Sequence, residues 1–377
     1  MTKQKLRIAI VTSGRFHVCD LARELTLLGH DVQFYSLVPP RRTKRFGLPA
    51  ASNRWLLPRI AHRAAAYKLL VRTRLRHRAD EGLHRAIDTA AAKALEPCDV
   101  FIDMSGLCNL AAVRAKHFGA RVWIERGSRH ILSQKEILDR IPGAETVPEF
   151  SVRRELRDYA HADVISLLSQ HCVDSFVERG VPPDRLVRNP LGVNLDMFPP
   201  TPAPPTAPPT VLMAGTWSLQ KGCDVLVAAW RRLSGVRLVH VGSVGDDCPL
   251  PTDPGFEHLG KVDQTRLPEV YARFQVMALA SRQEGLATVQ PQGLASGLRL
   301  VCTDRTGGAD LADMLPDRRA VRVVPTDDPE ALAVALAESL RDAKTDTGIR
   351  DRLGPAKGEL TWAAYARRYE ANLYERM

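Results

Sequence analysis

The stretch Leu279–Asp310, LASRQEGLATVQPQGLASGLRLVCTDRTGGAD, decides how the chain is read. The apolar run Val276 to Leu279 reads as a buried parallel strand, and it hands over to a loop carrying Ser281, Glu284 and Gly285. Helical character follows from Thr288 to Ser296, Gly297 supplies a stop, and RLVCT forms a second apolar strand. The result is one right-handed strand, helix, strand unit. Ligands of open parallel sheets lie at the carboxyl ends of the strands, where helix N-termini offer unpaired N–H groups to a phosphate. Glu284 and the Gly307-Gly308 pair sit at that edge. A carboxylate there is poor for holding a phosphate alone but well suited to accepting hydrogen bonds from hydroxyls beside one. A sugar joined to a diphosphate has both features.

Those residues resemble the donor-binding core of the retaining GT-B glycosyltransferases of group 1, whose signature is a Glu, seven residues and a second Glu. Glu284 matches the first Glu, EGLA its usual Glu-Gly-Phe-Gly, and LASGLRLVCT its Ala-x-Gly-x-Pro-Val-Val. Gln292 stands where the second Glu is expected, keeping an oxygen for a ribose hydroxyl without the charge. The resemblance implies an α/β chain of GT-B fold, two doubly wound Rossmann-like domains facing across a cleft. It also implies sugar transfer with retained anomeric configuration in polysaccharide or glycolipid assembly. The missing second Glu leaves an alternative, a non-catalytic scaffold or regulatory partner in glycan assembly.

A length of 377 residues favours two domains, and 45% apolar with 25% charged residues is ordinary globular composition. No apolar run reaches the roughly 18 residues of a membrane span, and RIAIVT is too short for a signal peptide. Seven cysteines without metal-type spacing fit reduced thiols, so a cytoplasmic address and no metal centre are expected. The net charge of +10 is local. Between Arg41 and Arg85 stand 13 Lys or Arg against Asp80 and Glu81, giving +11, so the other residues carry about −1. That segment has helical spacing, with Trp55, Leu56, Leu57, Ile60, Tyr67, Leu69, Leu70 and Leu75 among the cations. It reads as an anionic-membrane surface on the inner face of the cell membrane, or else as a solvated helix pair covering the sheet. No recognised module points to nucleic acid.

The chain opens with strand, helix, strand (LRIAIVT, HVCDLARELTLLGH, DVQFYSL). Its loop TSGRFH is no G-x-G-x-x-G fingerprint, so no nicotinamide or flavin is expected. By the resemblance this loop faces the cleft, with Gly14 allowing close approach. After the strand ARVWIERG comes ERGSRHILSQKE, whose Arg126, Ser128 and His130 are the acceptor-side candidates. Glu125 reads as a fold-stabilising partner of Arg126 or Arg129. NPLGVNLDMF resembles the family's end of the first domain, with Asn194 for its Asp. The domains are expected at 1–198, a Pro-rich linker at 199–210, 211–359, and a helix at 360–377 returning to the first domain.

In the second domain a strand delivers Gly215, and Lys221-Gly222 begins a helix. The family has Gly-Arg and Lys-Gly here, both cations holding the diphosphate; Thr216 replaces the Arg, leaving Arg282 or Arg126 to reach in. The resemblance makes Glu284, Lys221, His130 and Arg126 the catalytic candidates. It assigns the donor to Gly215, Thr216, Lys221, Glu284, Gly285, Leu286, Ala287, Thr288 and Gln292, with Gly14 across the cleft and the base near Lys261 and Val262. The donor is expected to be UDP- or GDP-linked, the acceptor a glycan or lipid-linked hydroxyl, with no further cofactor.

Overall fold

The computed structural model describes residues 4–204 and 208–377. Among these residues, two parallel sheets account for all named strands. The first contains β1 (Arg7–Thr12), β2 (Asp31–Ser36), β3 (Asn53–Trp55), β4 (Val100–Met104), β5 (Arg121–Arg126), β6 (Val164–Leu167) and β7 (Leu186–Arg188), in the order 3-2-1-4-5-6-7. The second contains β8 (Thr210–Ala214), β9 (Arg237–Val241), β10 (Phe256–His258), β11 (Val276–Leu279), β12 (Arg299–Thr303) and β13 (Val321–Val324), in the order 10-9-8-11-12-13. Each order reverses once, between β1 and β4 and between β8 and β11, and a crevice opens at each reversal. The central strands are buried on both faces, which is why they read as unbroken apolar runs.

Local chemistry sets the element ends. Gly297, at φ +92°, stops the helix Val289–Ala295 before β12, and Gly29, at φ +96°, stops Phe16–Leu27 before β2. The last helix, Trp362–Glu375, is capped by the Thr361 hydroxyl, which accepts from the Ala364 amide. It packs on the first domain: Tyr369 lies 5.2 Å from the ring of Trp123, and Glu370 meets His30 at 3.1 Å.

The Pro-rich tract differs from a free spacer. Residues 205–207 lie outside the described part, but Thr210 already belongs to β8, and Ala203 donates its amide to the Gly348 carbonyl. The basic segment also differs from one continuous amphipathic stretch. Asn53–Trp55 is the edge strand of the first sheet, and Leu56 and Ile60 are core residues. Two helices, Ala61–Leu70 and Arg76–Ala94, follow. Leu69 is 77% exposed and Leu75 45%, so a smaller apolar set accompanies the cations at the surface.

Candidate functional site at the interdomain cleft

The crevice of the second sheet is built by two loops locked together. After β8, Gly215 leads to the exposed Thr216, whose hydroxyl bonds that of Ser243 at 2.9 Å. The chain then turns through Ser218–Gly222 into the helix Cys223–Trp230. Gly222 has φ +63°, and a Cβ there would overlap the Ala280 carbonyl, so glycine alone lets this turn abut the end of β11. The Arg282 amide donates to the Gln220 carbonyl at 2.9 Å, and the Gln220 side chain reaches Gln283. This closeness brings Lys221 Nζ into direct contact with Glu284 Oε2, each side chain about one-fifth exposed. Burial pulls the Lys221 ammonium down to about 8.

Arg282 does not replace the absent arginine. Asp224 holds it through two bonds of 2.7 Å, and Asp327 holds its Nε at 2.6 Å. Its pKa is raised by these carboxylates against the pull of burial. Arg126 is likewise committed, to Glu155 at 3.1 Å, the Arg129 carbonyl and Gln134.

The Glu284 loop also touches the first domain. A Cβ on Gly285 would overlap the Gly127 carbonyl, and Gln283 bonds the Ser128 hydroxyl. The Gly285 carbonyl accepts from Ser169 at 2.9 Å and from His171 Nε2 at 3.1 Å. Burial pushes the His171 pKa down, against the pull of the Gly285 carbonyl. Asp310 accepts from the Gln170 amide at 3.0 Å and from Arg188 at 2.7 Å. Sequence reading assigned no role to Ser169, His171, Arg188 or Asp310, which acquire meaning only when the two sheet edges meet.

Beside this seam lies a cavity of about 630 Å³. Val262, Thr288 and Gln292 line it from the second domain and Arg15, His17 and Asp20 from the first. Arg15 donates to Gln264 at 2.6 Å across the cleft and stacks on Phe46 at 3.7 Å. Leu286 is buried, Ala287 half-buried and Lys261 exposed, while Gly14 closes a turn on the Thr12 hydroxyl. A second cavity, about 540 Å³, places Thr216, Lys221 and Asp246 opposite Arg76, His77 and Glu145.

Two expectations for the strand following β4 need correction. His130 is not turned to the cleft. It caps the helix Ile131–Asp139 through Nδ1 and packs 5.0 and 4.9 Å from the rings of Tyr159 and Phe176, where burial and Arg126 lower its pKa to about 4. Glu125 pairs with neither Arg126 nor Arg129. It accepts from His17 at 2.8 Å and from the Tyr365 hydroxyl at 3.2 Å. Of the acceptor-side candidates, Ser128 is the one in contact with the Glu284 loop.

Residues 208–342, which carry all six strands of the second sheet, match the family model described as glycosyl transferases group 1. That span of the second domain is similar to the group 1 glycosyltransferases. Whole-chain likeness extends to solved structures of the GT-B fold. A sucrose-phosphate synthase from Thermosynechococcus elongatus superposes with a TM-score of 0.69 at 18% identity, covering 99% of each chain. The HepE protein of Anabaena, in complex with UDP-glucose, gives 0.68 at 12% identity, covering 98% of this chain and 100% of its own. An α,α-trehalose-phosphate synthase (UDP-forming) from Burkholderia vietnamiensis gives 0.62 at 11%, covering 99% and 100%. At these identities the likeness establishes the GT-B fold. A comparison with curated proteins gave no match.

Proposed function

We propose that this chain moves a sugar from a nucleotide-diphosphate donor to an acceptor hydroxyl with retention of anomeric configuration. The observation that carries the reading is the contact of Lys221 with Glu284 at the reversal point of the second sheet, inside the matched domain. The cation would neutralise the leaving diphosphate, and the carboxylate it releases would accept from sugar hydroxyls. Gln292 would hold the ribose. The backbone amides of Leu286 to Thr288 make no backbone hydrogen bonds among the described residues and would add to the anion's support. Acceptor and leaving group would meet on one face of the sugar, the departing phosphate oxygen taking the acceptor proton, so no side-chain nucleophile is needed. HepE, solved with UDP-glucose, favours a UDP-linked hexose. A thermal-shift screen of UDP-, GDP- and TDP-sugars identifies the donor. Proton NMR of fresh product then reads the anomeric coupling, and an inverted coupling would overturn retention.

The exposed cations of the helices Ala61–Leu70 and Arg76–Ala94 support an anionic membrane surface as the place of work, in the cytoplasm and against the inner leaflet, with a lipid-linked acceptor. No helix among the described residues is long and apolar enough to cross a membrane. A non-catalytic scaffold is the second reading, favoured by Gln292 and Thr216 standing where a Glu and an Arg are expected. Donor hydrolysis by purified protein would exclude it.

A further inference from the structure

A third cavity, of about 690 Å³, shares no lining residue with the two at the cleft. It lies in the first domain, between the 3₁₀ turn Leu57–Ile60, the start of the helix Ala61–Leu70 and the later turns of the helix Arg76–Ala94. Gly82, Ala86, Ala90 and Ala94 follow one another every fourth residue, so they share one side of their helix, and with Ile60 they make the floor. Because that row carries no long side chain, the two helices leave a trough between them. The neighbouring row, Arg85, Thr89 and Lys93, is exposed and forms one wall; Arg59, His62 and Arg63, also exposed, form the other. No carboxylate lines the trough. Arg85 pairs with Glu81 at 2.5 Å, and Arg59 donates to the Trp55 carbonyl at 3.3 Å. Arg63 and Lys93 have no hydrogen-bond or ion-pair partner among the described residues.

Cations gathered round one cavity repel one another, and an anion placed between them turns that repulsion into attraction. The walls suit a phosphate and the floor suits hydrocarbon. A free phosphate would leave the floor uncovered, and a nucleic acid would find no aromatic ring in the lining on which to stack a base. A phospholipid meets both parts. Leu69, seven residues after His62 and so on the same side of its helix, is 77% exposed, which supplies an apolar contact for the leaflet around such a lipid.

We propose that this trough holds the headgroup of one anionic phospholipid, with the phosphate between Arg63 and Lys93 and the glycerol and upper acyl carbons on Gly82, Ala86 and Ala90. The proposal rests on the membrane reading above and deepens it. Diffuse attraction needs only charge near a surface, whereas a trough of fixed shape takes one lipid per chain. Seated there, the lipid fixes how the first domain is oriented on the leaflet, which charge alone leaves free.

The test is isothermal titration of the full chain with dihexanoyl phosphatidylglycerol kept below its micelle concentration, beside sedimentation with anionic vesicles. The wild type should bind one lipid per chain. Inorganic phosphate and dihexanoyl phosphatidylcholine should bind at least about tenfold more weakly, the first for want of an apolar part and the second for want of net charge. Arg63→Gln combined with Lys93→Gln should weaken binding about tenfold or more. Ala86→Leu, which fills the floor and removes no charge, should do the same, its fold checked by calorimetry. The Gln pair lies at the surface and tests the idea even where the Leu variant is destabilised. Wild-type affinity in the Gln pair, or phosphate binding as tightly as the lipid, would overturn the proposal. Sedimentation with anionic vesicles but no binding of the monomeric lipid would overturn the trough alone. A chain that does neither would overturn the membrane reading, and the proposal with it.

Discussion

Gln292 puts an amide where a carboxylate is expected, and the consequence is measurable at one hydrogen bond. A neutral acceptor for ribose contributes about 0.5 to 1.5 kcal/mol, so Gln292→Ala should weaken nucleotide binding by about twofold to thirteenfold. Gln292→Glu should be tolerated or slightly tightening, since the charged acceptor bonds more strongly. Isothermal titration with UDP decides it, and loss of activity in the Glu variant would show a site rebuilt around the amide. Single residues were legible in the sequence to unequal degrees. Glu284 and Lys221 were singled out through the family resemblance, and the folded chain brings the two side chains together. His130 was misplaced because a histidine after a parallel strand looks cleft-facing, whereas here it begins the helix Ile131–Asp139 and its ring is drawn into the core. His17 was passed over because only Gly14 stood out in TSGRFH, and a histidine opening a helix has no signature until its buried partner Glu125 is seen.

At the scale of elements, the loop Ser281–Gly285 is held from both sides, and its glycine is the contact point. Gly285→Ala should push the loop off the Gly127 carbonyl, separating Glu284 from its place beside Lys221. We expect donor turnover to fall by about tenfold or more while unfolding is little affected, read by UDP release and calorimetry on one preparation. Strands and helices were readable from apolar runs and glycine stops, and the family resemblance supplied their pairing. What could not be read was how β4 buries Asp103, which is fully enclosed with neither oxygen in a well-formed hydrogen bond among the described residues. Burial, Asp158 and Asp88 drive its pKa well up, and Asp158 itself rises to about 7, mainly through burial. Groups with raised folded pKa values stabilise the fold most when protonated. Their contribution is fully present below the unfolded carboxylate range and is lost as pH rises through about 7 and above. Urea unfolding between pH 6.5 and 8 should therefore show wild-type stability falling, and Asp103→Asn, a neutral isostere, should fall less. A steeper fall in the variant would contradict the protonated assignment.

For the whole molecule, where the charge is located and where the two domains meet matter more than any single contact. The exposed cations near Leu69 and Leu75 would be drawn to an anionic leaflet by about 1 kcal/mol per residue close to the surface, an attraction that salt screens. Sedimentation should show binding to anionic but not neutral vesicles at low salt. It should be lost when Lys68, Arg72, Arg74 and Arg78 become Gln. Arg76 is kept out of that set because it pairs with Glu145 and lines the cleft. Equal behaviour toward both vesicle types would leave the segment as a solvated face. Two domains were visible in length and in the Pro-rich tract. Their seam was not, because Ser169, His171 and Asp310 are distant in sequence from the loop and helix they hold.

The central claim is that the paired Lys221 and Glu284 form the working centre of a nucleotide-sugar transferase. The most direct measurement is UDP release from UDP-glucose by wild type and Glu284→Ala, with UDP binding measured in parallel. The account predicts release by wild type, at least about a hundredfold less by the variant, and UDP affinity kept in both. Equal release from wild type and variant, or none from wild type with any nucleotide sugar that binds, would contradict it.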